Sequence, residues 1–195
     1  MVTEQLTTER RPIVEGYEVE SLWKLYDGIF APINENTPCR QSLRKDDFTS
    51  LLKTERMEKI VVRDDTLQPV GLAVCVRMTT EETLLPWINP GYFLKHWPKY
   101  WGKIIYCPII CVIRGKRGLG IGAALMLEIQ KFMQERGVLV VGFDHSVGHL
   151  PDLSGMIGFV TGGEKLGDMS DGALDHQTYH LMLDTRSPHL NRGNL

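Results

Sequence analysis

Apolar positions in the first sixty residues recur with the period of an α-helix and predict two helices, over residues 19–33 and 46–57. The apolar face of each is short: Leu22, Tyr26, Ile29 and Phe30 in the first helix, and Phe48, Leu51 and Leu52 in the second. Polar residues around Pro38 separate the two. A third and clearer helix begins at Ile121, keeps an apolar face as far as Met133, and stops before Gly137, a residue type common at helix C-termini.

Six other stretches are rich in β-branched and aromatic residues and predict strands. They are 59–63, 70–78, 104–113, 138–143, 159–165 and 178–183, and a turn at 64–66 makes a hairpin of the first two. Pro108 lies inside the third stretch and predicts a bulge or a local break there, because proline has no N–H to donate to the ladder. Together with a short helix over 150–157, this order predicts an α/β domain with one mixed sheet and helices on both of its faces.

The segment between the second and third of these strands, residues 79–102, differs from the rest of the chain in composition. It holds six aromatic residues among turn-forming residues: Trp87, Tyr92, Phe93, Trp97, Tyr100 and Trp101. We interpret this segment as an insert in a single domain that spans residues 13–186. A polar arm, 1–12, precedes the domain, and a tail, 187–195, follows it.

Composition narrows the class of protein. The chain has 195 residues, of which 43% are hydrophobic and 24% charged, as in ordinary soluble domains. Its formal charge of −2 gives no overall field, so an anion must be held by local groups, and neither nucleic acid nor membrane is an expected partner. The polar arm lacks the apolar core of a signal peptide, and the longest apolar run is about half of what a membrane helix needs. A cytoplasmic location is therefore expected.

The four cysteines, Cys39, Cys75, Cys107 and Cys111, form no CxxC pair. Their spacing argues against a disulfide framework and against a zinc knuckle. Small buried side chains and reactive thiols both remain open interpretations. The histidines near Asp144 also lack a zinc spacing, so no metal is expected.

The strongest chemical signal lies in residues 114–123, between the strand at 104–113 and the helix that begins at Ile121. This segment holds four glycines and three cations. A helix N-terminus has N–H groups without partners and a partial positive charge, so it binds phosphate readily. Glycines let the backbone approach the anion closely, and the cations add full charges. The segment therefore predicts a site for a phosphate-containing cofactor.

Three kinds of phosphate-binding loop fit this segment to different degrees. A Walker loop needs serine or threonine after its Gly-Lys pair, where this chain has Arg117. A dinucleotide fingerprint fits residues 118–123, with Asp144 at the end of the next strand. However, that fold turns almost directly from strand to glycine, and only 51 residues follow Asp144, too few for its remaining strands.

The third kind fits best. Residues 117–122 read RGLGIG and resemble the (Q/R)xxGx(G/A) pyrophosphate loop of the GNAT acetyltransferase superfamily. The following strand, the GF turn at Gly158, the two leading helices and the hairpin fall in that family's order, so the resemblance covers most of the chain from residue 19. It implies a mixed, mostly antiparallel sheet whose central pair of strands splays apart. It also implies acetyl-CoA or another acyl-CoA as co-substrate, and a homodimer as a common assembly.

The resemblance also assigns cofactor-binding residues by register. Backbone groups of Ile110, Cys111 and Val112 would face the pantetheine arm and the oxyanion. A run of backbone N–H groups would hold the pyrophosphate: Arg117, Gly118, Leu119, Gly120, Ile121, Gly122 and Ala123. The side chains of Arg114 and Lys116 would reach the 3′-phosphate.

Acyl transfer to an amine needs a base, because an amine of pKa about 10 is protonated at neutral pH. Asp144 and His145, which follow the strand after the loop, are the candidate bases; the alternative is a hydrogen-bonding pair at a strand end. The family's acid is often a tyrosine four residues before the GF turn, where this chain has Ser154. That departure leaves Tyr179, His145 or water as the acid. A non-catalytic acyl-CoA-binding module and an NAD-dependent oxidoreductase stay open as alternatives.

The acceptor is expected to be an amine on a small molecule or a peptide. The aromatic insert predicts one wall of its pocket, with Trp87 and Tyr92 as candidate contacts, since large rings provide contact area at little entropic cost. Simple packing of these rings is the competing interpretation.

Overall fold

The computed structural model describes residues 5–34, 42–78, 90–113, 115, 120–146, 164–172 and 176–183. Its strands are β1 Thr7–Arg11, β2 Met57–Arg63, β3 Pro69–Arg77, β4 Ile104–Val112, β5 Val140–Ser146, β6 Glu164–Gly172 and β7 His176–Leu183. Its α-helices are α1 Tyr17–Asn34, α2 Lys45–Lys53, α3 Pro90–His96 and α4 Ile121–Glu135, and a 3-10 helix covers Pro98–Tyr100.

The seven strands form one sheet in the order β1-β2-β3-β4-β5-β7-β6. The pairs β1–β2, β5–β7 and β6–β7 are antiparallel, whereas β4 and β5 are parallel. The sheet is therefore mixed, and the prediction of a mixed α/β fold is confirmed. Within the described residues, no helix is both long and apolar enough to cross a membrane.

The chain divides into two compact units, and the boundary cuts β3 after Val74 and β4 after Pro108. The first unit holds α1, α2, β1, β2, the adjoining parts of β3 and β4, and α4 as far as Glu128. Its core joins α1 to α2: the rings of Tyr26 and Phe48 lie 4.8 Å apart, and both residues are buried. The second unit has a core of its own, formed by the start of β4, by β5 and by Phe93 and Tyr100 of the insert.

Most predicted elements are confirmed within these units, and the largest differences concern the second helix and the strand predicted over 159–165. The second helix ends at Lys53, four residues early, because Thr54 is extended and its N–H donates to the Leu51 carbonyl. The predicted helix over 150–157 and most of the predicted strand over 159–165 lie outside the described residues. The strand on the outer side of β7 is β6, which runs from Glu164 as far as Gly172.

The first strand was absent from the predicted elements, since residues 1–12 were interpreted as a polar arm. Thr7–Arg11 in fact pairs along its whole length with β2. Its charges are used in ion pairs: Glu18 of α1 accepts from both Arg11 and Arg63, and Arg10 lies 3.3 Å from Glu128 of α4. A strand at the edge of a sheet needs no apolar face, which is why its pattern carried no strand signal.

Lys59 is fully buried in the first unit, beside the start of β2. Its Nζ donates to three carbonyl oxygens, those of Pro12 at 2.5 Å, Thr54 at 2.6 Å and Met57 at 2.8 Å. Burial disfavours the ammonium and lowers the pKa of Lys59 from its usual 10.5 to about 8, against a small opposing effect of Glu58. Through these hydrogen bonds the side chain links the N-terminal arm, the end of α2 and β2.

The lowered pKa predicts a pH-dependent stability. Between pH 8 and 10.5 the unfolded chain keeps the Lys59 proton while the folded chain releases it, so stability rises with pH through this window. The free energy of unfolding should gain up to about 3 kcal/mol over that range. Urea unfolding of Lys59→Met should show this rise removed, while the exposed control Lys53→Met should keep it. Parallel pH profiles for wild type and Lys59→Met would contradict the prediction.

Candidate functional site

Strand β4 contains one residue more than the strand beside it. The N–H of Met78 donates to the Ile104 carbonyl at one end of the β3–β4 pair, and the N–H of Ile113 donates to the Val70 carbonyl at the other. These contacts are eight residues apart along β3 but nine apart along β4. The extra residue is a β-bulge, as predicted from Pro108, which lies between the two contacts.

The bulge decides which edge of β4 each backbone group faces. Successive residues of a strand direct their N–H and C=O groups to opposite edges. Since Ile113 directs its N–H to β3, Ile110 and Val112 direct theirs to the other edge. Both residues are half-buried, whereas Ile109, just before them, and Cys111, between them, are buried.

The opposite edge of β4 is paired for only part of its length. Parallel pairing with β5 joins Ile104 to Val140, Ile105 to Val141 and Tyr106 to Gly142, and among the described residues it ends there. Beyond Gly142, β5 continues to Ser146 in pairing with β7. The two parallel strands therefore share only a short ladder, which is how a splayed strand pair begins.

Gly120 starts α4 in a backbone conformation that favours glycine. Its φ is +81°, and its carbonyl accepts the first helical hydrogen bond, from the Ala124 N–H at 2.8 Å. The N–H groups of Ile121, Gly122 and Ala123 precede that bond, so they have no acceptor inside the helix. Gly120 is exposed, and a Cβ at this position would meet no atom within 4 Å. Among the described residues, none covers the Gly120 end of α4, where an anion would approach.

Gly71 of β3 was not predicted as a functional residue, and it fixes where α4 begins. A Cβ on Gly71 would lie 2.6 Å from Cγ2 of Ile121 and 3.3 Å from Cδ1 of Leu125. The first turn of α4 thus packs directly onto the backbone of β3. A single glycine inside a strand pattern indicates such a close approach, and this signal was present in the sequence.

Cys111, at the end of β4, is not poised as a nucleophile. It is buried, and burial raises the pKa of its thiol to about 12, although the Leu72 backbone partly opposes this shift. A thiol with that pKa carries almost no thiolate at neutral pH. This residue therefore offers no route through an acyl-cysteine intermediate.

The second unit contains the three candidate catalytic residues. Asp144 of β5 is the register partner of Tyr179 of β7, and His145 is the partner of Thr178. Residues directly opposite one another in an antiparallel pair lie on the same face of the sheet, and neighbours along a strand lie on opposite faces. The backbone thus brings Asp144 and Tyr179 to one face and places His145 on the other.

Several predicted site residues lie outside the described residues: Arg114, Lys116, Arg117, Gly118, Leu119 and Trp87. Tyr92 belongs to α3, whose backbone is described. The adjoining aromatic residues of the insert pack together, since the rings of Phe93 and Trp97 lie 6.1 Å apart and Phe93 is buried. In the part of the chain that the structure describes, no cluster of three acidic, histidine or cysteine side chains is placed to hold a metal ion.

The chain resembles known proteins in structure but not in sequence. No family model and no curated protein sequence matches the chain. An N-acyl amino acid synthase from uncultured soil microbes superimposes with a TM-score of 0.66 at 9% identity, over 94% of this chain and 93% of that one. A ribosomal-protein alanine N-acetyltransferase from Escherichia coli gives 0.60 at 10% identity, over 98% and 99%.

A GNAT-family acetyltransferase from Streptococcus pneumoniae gives a TM-score of 0.59 at 9% identity, over 92% of this chain and 99% of that one. These matches span nearly the full length of both partners. The chain has the fold of the GNAT acetyltransferases.

Proposed function

We propose that this protein transfers an acyl group, acetyl in the first instance, from acyl-CoA to an amine. One observation carries the proposal: within a single unit, β4 turns the backbone of Ile110 and Val112 to an edge away from β3, and α4 begins at a glycine of positive φ with N–H groups that have no acceptor inside the helix. The first feature suits the amide-rich pantetheine arm, and the second suits a pyrophosphate. The likeness in fold to acetyltransferases supports the same cofactor class.

Each part of the cofactor has a proposed partner. Backbone groups of Ile110 and Val112 pair with the pantetheine amides in the manner of an added strand. The N–H groups of residues 117–123 hold the pyrophosphate, and the cations Arg114 and Lys116 pair with the 3′-phosphate. Cys111 directs its own backbone to β3, so the outward N–H of Ile110, which lies farther from the pyrophosphate site than Val112, is the proposed donor to the oxyanion.

The transfer proceeds by direct attack of the amine on the thioester. Deprotonating an amine of pKa about 10 costs roughly 4 kcal/mol at pH 7, so a base is required. We assign Asp144 as the base and Tyr179 as the acid, because the register places them opposite each other on one face. After Asp144 has taken a proton from the ammonium group, the amine nitrogen bonds to the carbonyl carbon and the C–S bond breaks. The CoA thiolate takes a proton from Tyr179, and the amide nitrogen gives its surplus proton to the Tyr179 phenolate. His145 is the second candidate for the base.

The insert and the structural neighbours support a proposal for the acceptor class. We propose that Trp87 and Tyr92 contact an acceptor with an apolar or aromatic body. An N-acyl amino acid synthase and an alanine N-acetyltransferase among the structural neighbours both act on amines. Amino acids and peptides with a free amino group are therefore the first acceptors to test.

Two measurements, made one after the other, test the proposal. Acetyl-CoA should raise the melting temperature of the protein, and NADH should not. CoA release from acetyl-CoA and longer acyl-CoAs should then appear with at least one member of a panel of amino acids, peptides and aromatic amines. A melting shift without CoA release from any amine would instead indicate an acyl-CoA-binding module. A shift with NADH alone would overturn the proposal.

The assignment of the base predicts a change in the pH profile. In Asp144→Asn, kcat/KM should fall by about 100-fold or more and lose its acidic limb, because no carboxylate remains to be protonated. Tyr179→Phe should lower kcat and remove the alkaline limb. His145→Gln is the matched control on the other face and should keep both limbs. An acidic limb that persists in Asp144→Asn and disappears in His145→Gln would transfer the role to the histidine.

A further inference from the structure

Two buried cysteines of the second unit lie directly opposite each other on neighbouring strands. The sulfurs of Cys75 on β3 and Cys107 on β4 are 3.3 Å apart, and both residues are free thiols. The hydrogen bond from Met78 to Ile104 sets their register, since Cys75 is three residues before Met78 and Cys107 is three residues after Ile104. An odd number of steps from a hydrogen-bonded pair leads to a non-hydrogen-bonded pair, in which side chains approach most closely.

This geometry suits a covalent bond between the two sulfurs. Opposite residues in a non-hydrogen-bonded pair have Cα atoms about 4.5 Å apart, within the range of about 4.4 to 6.8 Å that a disulfide spans. Each sulfur would need to move by well under 1 Å to reach the bonded distance of about 2.05 Å. We propose that Cys75 and Cys107 are an oxidisable dithiol, which a hydroperoxide converts to a cross-strand disulfide.

The chemistry balances with hydrogen peroxide as the oxidant. The Cys75 thiolate attacks one peroxide oxygen, the O–O bond breaks, and a sulfenic acid and a hydroxide form. The Cys107 sulfur then attacks the sulfenic sulfur and displaces its hydroxyl group, and the two released protons complete two waters. Two thiols lose two electrons in total, and the peroxide gains them. The contact with Cys75, followed by burial, raises the pKa of Cys107, so this sulfur stays a thiol at neutral pH and reacts second, once the sulfenic acid lies beside it.

The reaction should be slow and should depend on local opening. Cys75 and Cys107 are 0% and 2% exposed, so only a small oxidant in a transiently opened state can reach them. Cys107 directly follows Tyr106, the last β4 residue paired with β5, and it precedes Pro108, which has no N–H. The ladder that would hold this part of β4 closed is therefore incomplete.

The disulfide would join the two chain segments that flank the insert. Cys75 precedes the insert and Cys107 follows it, so the new bond closes a loop of about thirty residues around 79–102. Closing a loop of this size in the unfolded chain raises the melting temperature by roughly 5 to 10 °C. Oxidation would thus restrain the insert at its base, whether or not the insert contacts an acceptor.

Hydrogen peroxide treatment of the purified protein tests the proposal. Over hours, thiols titrated after denaturation should fall from four per chain to two. Peptide mapping should recover the Cys75 and Cys107 peptides joined by a bridge, with a mass two hydrogens lighter than their sum. The melting temperature should rise, and dithiothreitol should reverse every change.

Matched variants locate the effect. Cys111→Ser, which alters another buried cysteine, and Cys39→Ser should both form the bridge, whereas Cys75→Ala and Cys107→Ala should not. Mapping on the unaltered chain gives an answer even if an alanine variant fails to fold. A bridge to Cys39 or Cys111, conversion to sulfinic acid, or four intact thiols after methionine oxidation is complete would each overturn the proposal.

Discussion

Gly120→Val is expected to abolish acetyl-CoA binding while the protein stays folded. Gly120 has a φ of +81° at the residue whose carbonyl starts the α4 hydrogen bonds. A β-branched residue is strained in this conformation, so the backbone should rotate and the N–H groups of the first turn should leave the anion. Titration calorimetry should show no heat at acetyl-CoA concentrations that saturate the wild type.

The other end of the same helix provides a matched control. Gly137 also has a positive φ, +64°, and open space where a Cβ would lie. It caps α4, since the Val138 N–H donates to the Met133 carbonyl at 2.8 Å in the manner of a Schellman motif. Gly137→Val should therefore lose a similar amount of stability but keep its acetyl-CoA affinity. Equal affinities in wild type and Gly120→Val would remove the basis for placing the cofactor at this helix.

Gly71→Val is the second change with a large expected effect, and it acts through packing. Its Cβ would lie 2.6 Å from Cγ2 of Ile121, so either the strand or the first turn of α4 must move. Overpacking of this kind costs about 1 to 3 kcal/mol of stability. Because α4 carries the proposed pyrophosphate site, acetyl-CoA affinity should fall at least tenfold as well. Urea unfolding and calorimetry on the same preparations measure both effects.

A double substitution separates this mechanism from a general loss of stability. Ile121→Ala removes the methyl group that a Cβ at Gly71 would strike, so Gly71→Ala combined with Ile121→Ala should be less destabilised than the sum of the two single changes. The double variant should also bind acetyl-CoA more tightly than the sum of the two single effects predicts. Strict additivity in both measurements would show that Gly71 does not position the helix.

The start of α4 could be predicted from sequence because its signals are local. Gly120 lies between a buried strand and a helical repeat, and Gly137 ends that repeat, so each is recognised from its neighbours along the chain. Gly71 stands alone in an apolar strand, and its importance depends on Ile121, fifty residues away in the sequence. The sequence pattern identifies such a glycine, but it does not indicate which residue packs against it.

It was harder to predict from the sequence which backbone groups of β4 face away from β3. Pro108 indicates a bulge, but the direction of the Ile110 and Val112 backbone depends on the count of residues between two hydrogen bonds to β3. A strand without the extra residue would direct the same groups to β3. The pairing of Asp144 with Tyr179 likewise depends on a register between strands that are distant in the chain.

The outermost strand has a consequence for the behaviour of the chain in concentrated solution. β1 covers the edge of β2, where Ile60, Val61 and Val62 are fully buried. A chain that began at Pro12 would leave β2 as the outer strand, with unpaired backbone groups along an aliphatic run. Such an edge is a template for pairing with other molecules. The five polar residues of β1, with their ion pairs, therefore act as a gatekeeper against aggregation.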